Sequence, residues 1–141
     1  MQTPSVAPAL VAGSLPEAFK ASGGALTGSE IAELLRLRMD QPISVLARWI
    51  VSRQVVTFAW QSNLLLPLFQ FDFARSAVRD GLRQVLVELS TRNDEPQIAL
   101  WFSQPNARLA GLKPADCLST DAGAVLAAAR AARADQVVAG A

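Results

Sequence analysis

The chain has 141 residues, 51% of them hydrophobic and 18% charged, with a formal net charge of +1. That length suits one compact domain plus tails, and the near-neutral balance leaves any nucleic-acid binding to a local patch rather than a global field. There is no histidine and only one cysteine, Cys117, which removes histidine acid–base and triad chemistry, internal disulfides and cysteine metal clusters.

Residues 1–25 are rich in Ala, Pro, Ser and Gly and read as a flexible N-terminal arm, in which Leu15 and Phe19 can pack as a short helix after Pro16. The arm lacks an early Lys or Arg, and proline breaks its apolar patches, so it reads poorly as a signal peptide. A second unit is expected over 26–73. Thr27 and Glu30 form a capping box, each side chain satisfying a free backbone amide. Ile31, Leu34, Leu35 and Leu37 then supply the apolar stripe of a helix. Pro42 suits a first helical position, followed by Ile43, Leu46, Trp49 and Ile50 at helical spacing. Two short helices around a polar turn read as a helix-turn-helix.

Val55, Val56, Thr57, Phe58 and Trp60 favour strand, Gln61–Asn63 can turn, and Leu64–Phe71 returns. The result is a β-hairpin, with Pro67 placing the second strand at an edge or bulge. Its apolar residues point to burial, under its own helices or a second subunit. Thr57, Gln61, Ser62, Asn63, Pro67 and Gln70 interrupt this apolar region, so no membrane helix is expected there. The expected location is the cytoplasm.

The third unit, 74–141, is read as helical. Val78, Leu82, Val85, Leu86 and Leu89 mark one buried face despite Gly81. Arg75, Arg79 and Arg83 fall at i, i+4 and i+8 along its margin, as snorkelling side chains or as an interface. Asp94 or Asn93 caps the next helix, with Pro96 in its first turn and Ile98, Trp101 and Phe102 as its core. Pro105-Asn106 breaks that helix. Leu109 and Leu112 bury the following loop, Gly111 gives it a tight turn, and Pro114 opens one helical turn ending at Leu118. Thr120 or Ser119 caps an alanine-rich last helix, Gly123 allows close backbone approach, and the final VVAGA frays. The architecture expected is therefore mainly α with one β-hairpin.

Arg36, Arg38, Arg48 and Arg53 make 36–53 the most basic stretch. Arginines at helix ends can clamp phosphates, while Ser44 and Arg48 can reach base edges. A solvated face with arginines favoured by the helix dipole is the other reading. The hairpin lacks the Lys and Arg that a DNA-binding wing needs. No Gly-rich phosphate loop, no Ser or Cys with a base and no ordered carboxylate pair is present. Asp72, Asp116 and Asp121 suit turns and caps, and Cys117 suits a small buried position. The chain is thus expected to be no enzyme and to hold no cofactor or metal. Its low charge content hints at apolar surface meeting a partner.

One segment says more. Trp101, Phe102, Pro105, Asn106, Leu109, Gly111, Pro114, Asp116, Leu118, Thr120 and Gly123 form a pattern that resembles the C-terminal toxin-binding domain of Xre/MbcA/ParS-type antitoxins, over about residues 75–133. The run PLFQFD before it, after a short helix-turn-helix, looks like a variant group with a hairpin-bearing N-terminal unit. The resemblance implies a homodimeric antitoxin that blocks a RES-type, NAD-consuming toxin and can repress its own operon. It also implies contacts by Gly123, Arg130 and Arg133 on the last helix, near the toxin's substrate entrance, and by Asn106 and Lys113 on the loop. Ala124→Arg is then expected to abolish toxin binding. The N-terminal unit departs from the usual multi-helix Xre repressor domain. The alternatives are an orphan DNA-binding regulator and a non-catalytic adaptor.

Overall fold

The structure, a computed structural model, describes residues 15–37 and 39–140, with side chains to residue 135. The first fourteen residues of the expected arm, and Arg38, lie outside the described residues.

The rest of that arm belongs to the fold. Helix α1 (Leu15–Ala18) buries Leu15, and Phe19 behind it is fully buried. A 3-10 turn over Lys20–Ser22 ends at Gly23, in the left-handed region at φ 112°, and Gly24 donates its N–H to the Phe19 carbonyl at 2.8 Å. The chain then enters strand β1 (Ala25–Thr27). Thr27 both ends the strand and caps helix α2 (Gly28–Leu35), in the expected box with Glu30. Helix α3 (Pro42–Val51) starts on its proline.

The apolar stripe of this pair is narrower than expected. Ile31, Ala32, Leu35 and Leu46 are buried, but Leu34, Leu37 and Ile43 are exposed. α2 ends at Leu35, so Leu37 lies in the connecting turn. Buried Ala32 in place of Leu34 shows the inward face set one position away from the expected stripe.

Strands β2 (Phe58–Trp60) and β3 (Asn63–Pro67) form the expected hairpin. Gln61 and Ser62 make a two-residue turn with φ of 47° and 69°, the conformation that suits the twist of a hairpin. Two details differ. Val55–Thr57 is not strand, because the Gln70 side chain takes the place of a partner strand: its Oε1 accepts the Val56 N–H at 2.6 Å, and its Nε2 donates to the Val56 and Pro67 carbonyls at 2.9 and 3.0 Å. And β3 is central rather than an edge, since β1 pairs antiparallel along its other side, Leu26 opposite Leu66. Pro67, which cannot donate a ladder bond, sits at its last position.

The helix expected through residue 78 begins later. Strands β4 (Phe71–Asp72) and β5 (Ala77–Val78) pair antiparallel, and helix α4 (Leu82–Ser90) starts only after Gly81, which sits at φ 90°. A left-handed residue cannot continue a helix backward, so Arg75, Arg79 and Arg83 do not share a helical face. Leu82, Val85, Leu86 and Leu89 are the buried face of α4 as expected. Helix α5 (Glu95–Ser103) is capped by Asp94, boxed with Gln97. A 3-10 turn (Ala107–Leu109), helix α6 (Pro114–Cys117) and helix α7 (Ala122–Gly140) complete the chain. α7 runs through Val137, Val138 and Ala139 to Gly140, where fraying was expected.

The fold is mainly helical with a small antiparallel sheet built on one hairpin. Its larger core crosses the boundary expected at residue 73: Leu15, Phe19, Phe58 and Phe69 join Leu82–Leu89, Phe102 and the inner face of α7 in one cluster. Phe19 stacks at 5.7 Å on both Phe58 and Phe69, and Phe69 meets Phe102 at 4.9 Å. Ile31, Leu35, Leu46, Val55, Leu66 and Phe71 form a smaller cluster under α2 and α3.

Candidate functional site

The corner between α5 and α7 is organised by Asn106. Its side-chain oxygen accepts the Arg108 N–H at 2.9 Å. Its carbonyl accepts the N–H groups of Leu109 and Gly111, each at 2.9 Å, and its own N–H donates to the Leu112 carbonyl at 3.0 Å. Asn106 is therefore committed to closing the loop. Ala110 and Gly111 make the turn at φ 59° and 84°. Leu109 is buried as expected, but Leu112 is 56% exposed, because the tight turn leaves it on the outside. Lys113 Nζ donates to the Ala18 carbonyl at 2.9 Å, so its ammonium ties the corner to the end of α1.

The start of α7 differs from expectation. Thr120 donates its hydroxyl to the Cys117 carbonyl at 3.2 Å, and the cap is Asp121, whose Oδ1 accepts the Ala124 N–H at 3.0 Å. A carboxylate there also faces the positive end of the helix dipole. Gly123 is exposed, and an added Cβ would meet only the Asp121 carboxylate, at 3.7 Å. The close approach lies at Gly81 instead, where a Cβ would stand 2.8 Å from that of Ala122.

α7 is two-sided. Val125, Ala128 and Ala129 are buried against α4, whereas Gly123, Ala127, Arg130 and Ala134 are exposed. Ala124 is half-buried and packs on the core. Arg130 and Arg133 are brought together on Glu88 of α4, with Arg130 Nε at 3.7 Å and Arg133 Nη1 at 3.0 Å from its two oxygens. The corner adds an ion pair of its own, Arg108 to Asp135 at 3.6 Å. Glu88, Arg108 and Asp135 were not singled out by sequence reasoning; their partners lie far along the chain, and no local pattern marks them.

The basic residues of the first helix pair are dispersed. Arg36 pairs with Glu33 at 2.7 Å, and with Ser44 it lines an open depression of about 370 Å³. Ser44 and Arg48 are exposed on α3. Arg53, left-handed at φ 57°, lines a different cavity with Val55, Leu86 and Glu95.

Cys117 is buried; burial, then the nearby Asp116 and Asp121 carboxylates, push its thiol pKa up, which disfavours the reactive thiolate. Among the described residues no His, Cys, Asp and Glu group is placed to hold a metal ion, and no helix is long and apolar enough to cross a membrane.

Comparison with protein-family models, with curated proteins and with solved structures finds no match.

Proposed function

We propose that this chain is an antitoxin-like binding protein that docks on a RES-type, NAD-consuming toxin and occludes its active site. The observation that carries the reading is the two-sided last helix. Its inner face is buried against α4, its start is fixed by the Asp121 cap, and its outer face is built from Gly123, Ala127, Arg130 and Ala134. A rigid helix of small side chains can enter a narrow cleft with little loss of side-chain entropy, and Arg130 can reach an acidic group at the rim. Occlusion requires no reacting group of the chain's own, neither cofactor nor nucleophile. Asn106 and Lys113 serve this surface indirectly, as braces of the corner. The exposed Leu34, Leu37 and Ile43 suit contact with a second copy in a homodimer.

The test is Ala127→Arg in cells that also express the toxin. Ala127 is exposed, so the melting temperature should hold while protection of growth and of the NAD pool is lost. Continued protection, with the toxin still co-purifying, would remove α7 from the interface. Ala127 is a cleaner position than Ala124, which packs on the core. Deleting 119–141 would strip Val125, Ala128 and Ala129 from the core and test folding instead.

A second reading, operator binding by α3, is supported by the exposure of Ser44 and Arg48. It applies to autoregulation by an antitoxin or to an orphan regulator. Affinity for the DNA upstream of its own gene should then fall steeply with salt and drop about tenfold or more in Arg48→Ala, the loss of one good arginine contact. Affinity unchanged by either would exclude this surface, and failure of both tests would leave an adaptor.

A further inference from the structure

Between β4 and β5 the chain makes a tight turn that is already helix-like. The Asp72 carbonyl accepts the Arg75 N–H at 3.2 Å and the Phe73 carbonyl accepts the Ser76 N–H at 3.3 Å, two successive bonds of the 3-10 pattern. The Asp72 carboxylate also accepts the Arg75 N–H, at 3.3 Å, the bond a capping aspartate makes to the third residue of a helix. A first turn is the costly step of helix formation, after which each residue adds a bond. The residues that follow suit propagation. Ala77 and Arg79 are strong helix formers, and Val78 continues the spacing of Leu82, Val85 and Leu89. Alanine is depleted in strands, yet Ala77 stands in β5.

Two left-handed residues stop the helix. Ser76 ends the turn at φ 50° and Gly81 precedes α4 at φ 90°, and between them Ala77 and Val78 pair with Asp72 and Phe71. Glycine takes that conformation freely; serine does so only at a cost. Ser76 carries a second cost. Among the described residues its hydroxyl is the one buried side-chain oxygen or nitrogen without a hydrogen-bond partner, and such a group destabilises the form that buries it. Three things hold the strand form against these costs: the short β4–β5 pair, the bonds from Arg79 to the Gln70 and Phe69 carbonyls at 2.8 and 3.0 Å, and Val78, which packs on both cores. A local sequence preference at odds with the resident structure, together with backbone strain, marks a segment with a second conformation close in free energy.

We propose that residues 73–81 are a two-state segment. The strand-and-turn form exchanges with a minor form in which the Asp72-capped turn runs on through 77–81 into α4, as one helix over 73–90. Ser76 and Gly81 then turn right-handed, and the contacts of Arg79 and Val78 are given up. Gly81 faces the head of α7, where its missing Cβ would stand 2.8 Å from that of Ala122, so the change reaches the start of the helix proposed above to dock. The exchange itself does not depend on what α7 binds.

The experiment is relaxation-dispersion and saturation-transfer NMR on the ¹⁵N,¹³C-labelled full chain. Exchange is expected at residues 76–80 on the microsecond-to-millisecond scale, with a minor population of about 1–5% whose ¹³Cα shifts are helical. Ser76→Gly should lower that population about tenfold, because glycine suits φ 50° and disfavours helix. A turn that is merely mobile would gain motion with glycine instead. Gly81→Ala should raise the population, because alanine favours the helix and its Cβ meets Ala122 in the strand form. If that variant does not fold, Gly81→Ala with Ala122→Gly makes the same comparison without the clash. No exchange in the wild type, a minor state with non-helical shifts, or a population undiminished in Ser76→Gly would overturn the proposal.

Discussion

Gly81→Ala is expected to lower the melting temperature by about 10 °C, a loss of about 2–4 kcal/mol for a chain of this size. Two effects combine. Gly81 sits at φ 90°, and a Cβ there would stand 2.8 Å from the Cβ of Ala122, a contact no alanine can relieve by rotating. The two effects can be separated. Gly111 has a similar φ of 84° but nothing within 4 Å of its missing Cβ, so Gly111→Ala should cost only the dihedral strain, about 1 kcal/mol. Adding Ala122→Gly to Gly81→Ala should recover the steric part. Equal losses at Gly81 and Gly111, measured by thermal unfolding, would show that the contact with the head of α7 carries no cost.

Phe19→Ala should remove about 3–5 kcal/mol, the range for truncating a buried phenylalanine. That is a large share of the stability of a small domain, about 5–15 kcal/mol in total. Phe19 is fully buried and stacks on rings from both the hairpin and the turn after it. Next to it Lys20 carries an 81% exposed side chain, and Lys20→Ala should stay within about 0.5 kcal/mol of wild type. Urea unfolding of both variants decides the matter. A loss below about 1 kcal/mol for Phe19→Ala would mean the core closes without α1.

Local chemistry was the part of this fold legible in the sequence. The Thr27–Glu30 box, the Asp94 cap, the Pro42 helix start and the Asn106–Gly111 turn rest on groups within a few residues of each other, and each falls where the residue types place it. What failed to show depended on distant partners. β1 does not show as a strand because its partner is β3, far along the chain, and Phe19 reads as part of an arm because its neighbours are Phe58 and Phe69. Val78 continues the helical spacing of Leu82 and Val85, so periodicity alone carried the helix across Gly81; only the left-handed backbone there separates strand from helix. The candidate surfaces follow the same division. The alanine-rich character of α7 was visible, but which alanines face outward was not, nor was the pairing of Arg130 and Arg133 with Glu88. The arginine series at 75, 79 and 83 suggested one ridge, whereas Arg75 lies in the β4–β5 turn, Arg79 follows β5 and only Arg83 is in α4.

The order of strands in the sheet has a consequence for how the protein is made. β1 leaves the ribosome first, yet its partner β3 is synthesised only after α2, α3 and β2. The hairpin can close as soon as its two-residue turn emerges, whereas β1 and Phe19 must wait for a surface that does not yet exist. Until then the apolar side of β3 has one open edge, the condition in which nascent chains pair with the wrong neighbour. Gly23 and Gly24, both at positive φ, stand directly before β1, and glycine is depleted in strands, so this early segment has little strand character of its own before its proper partner arrives.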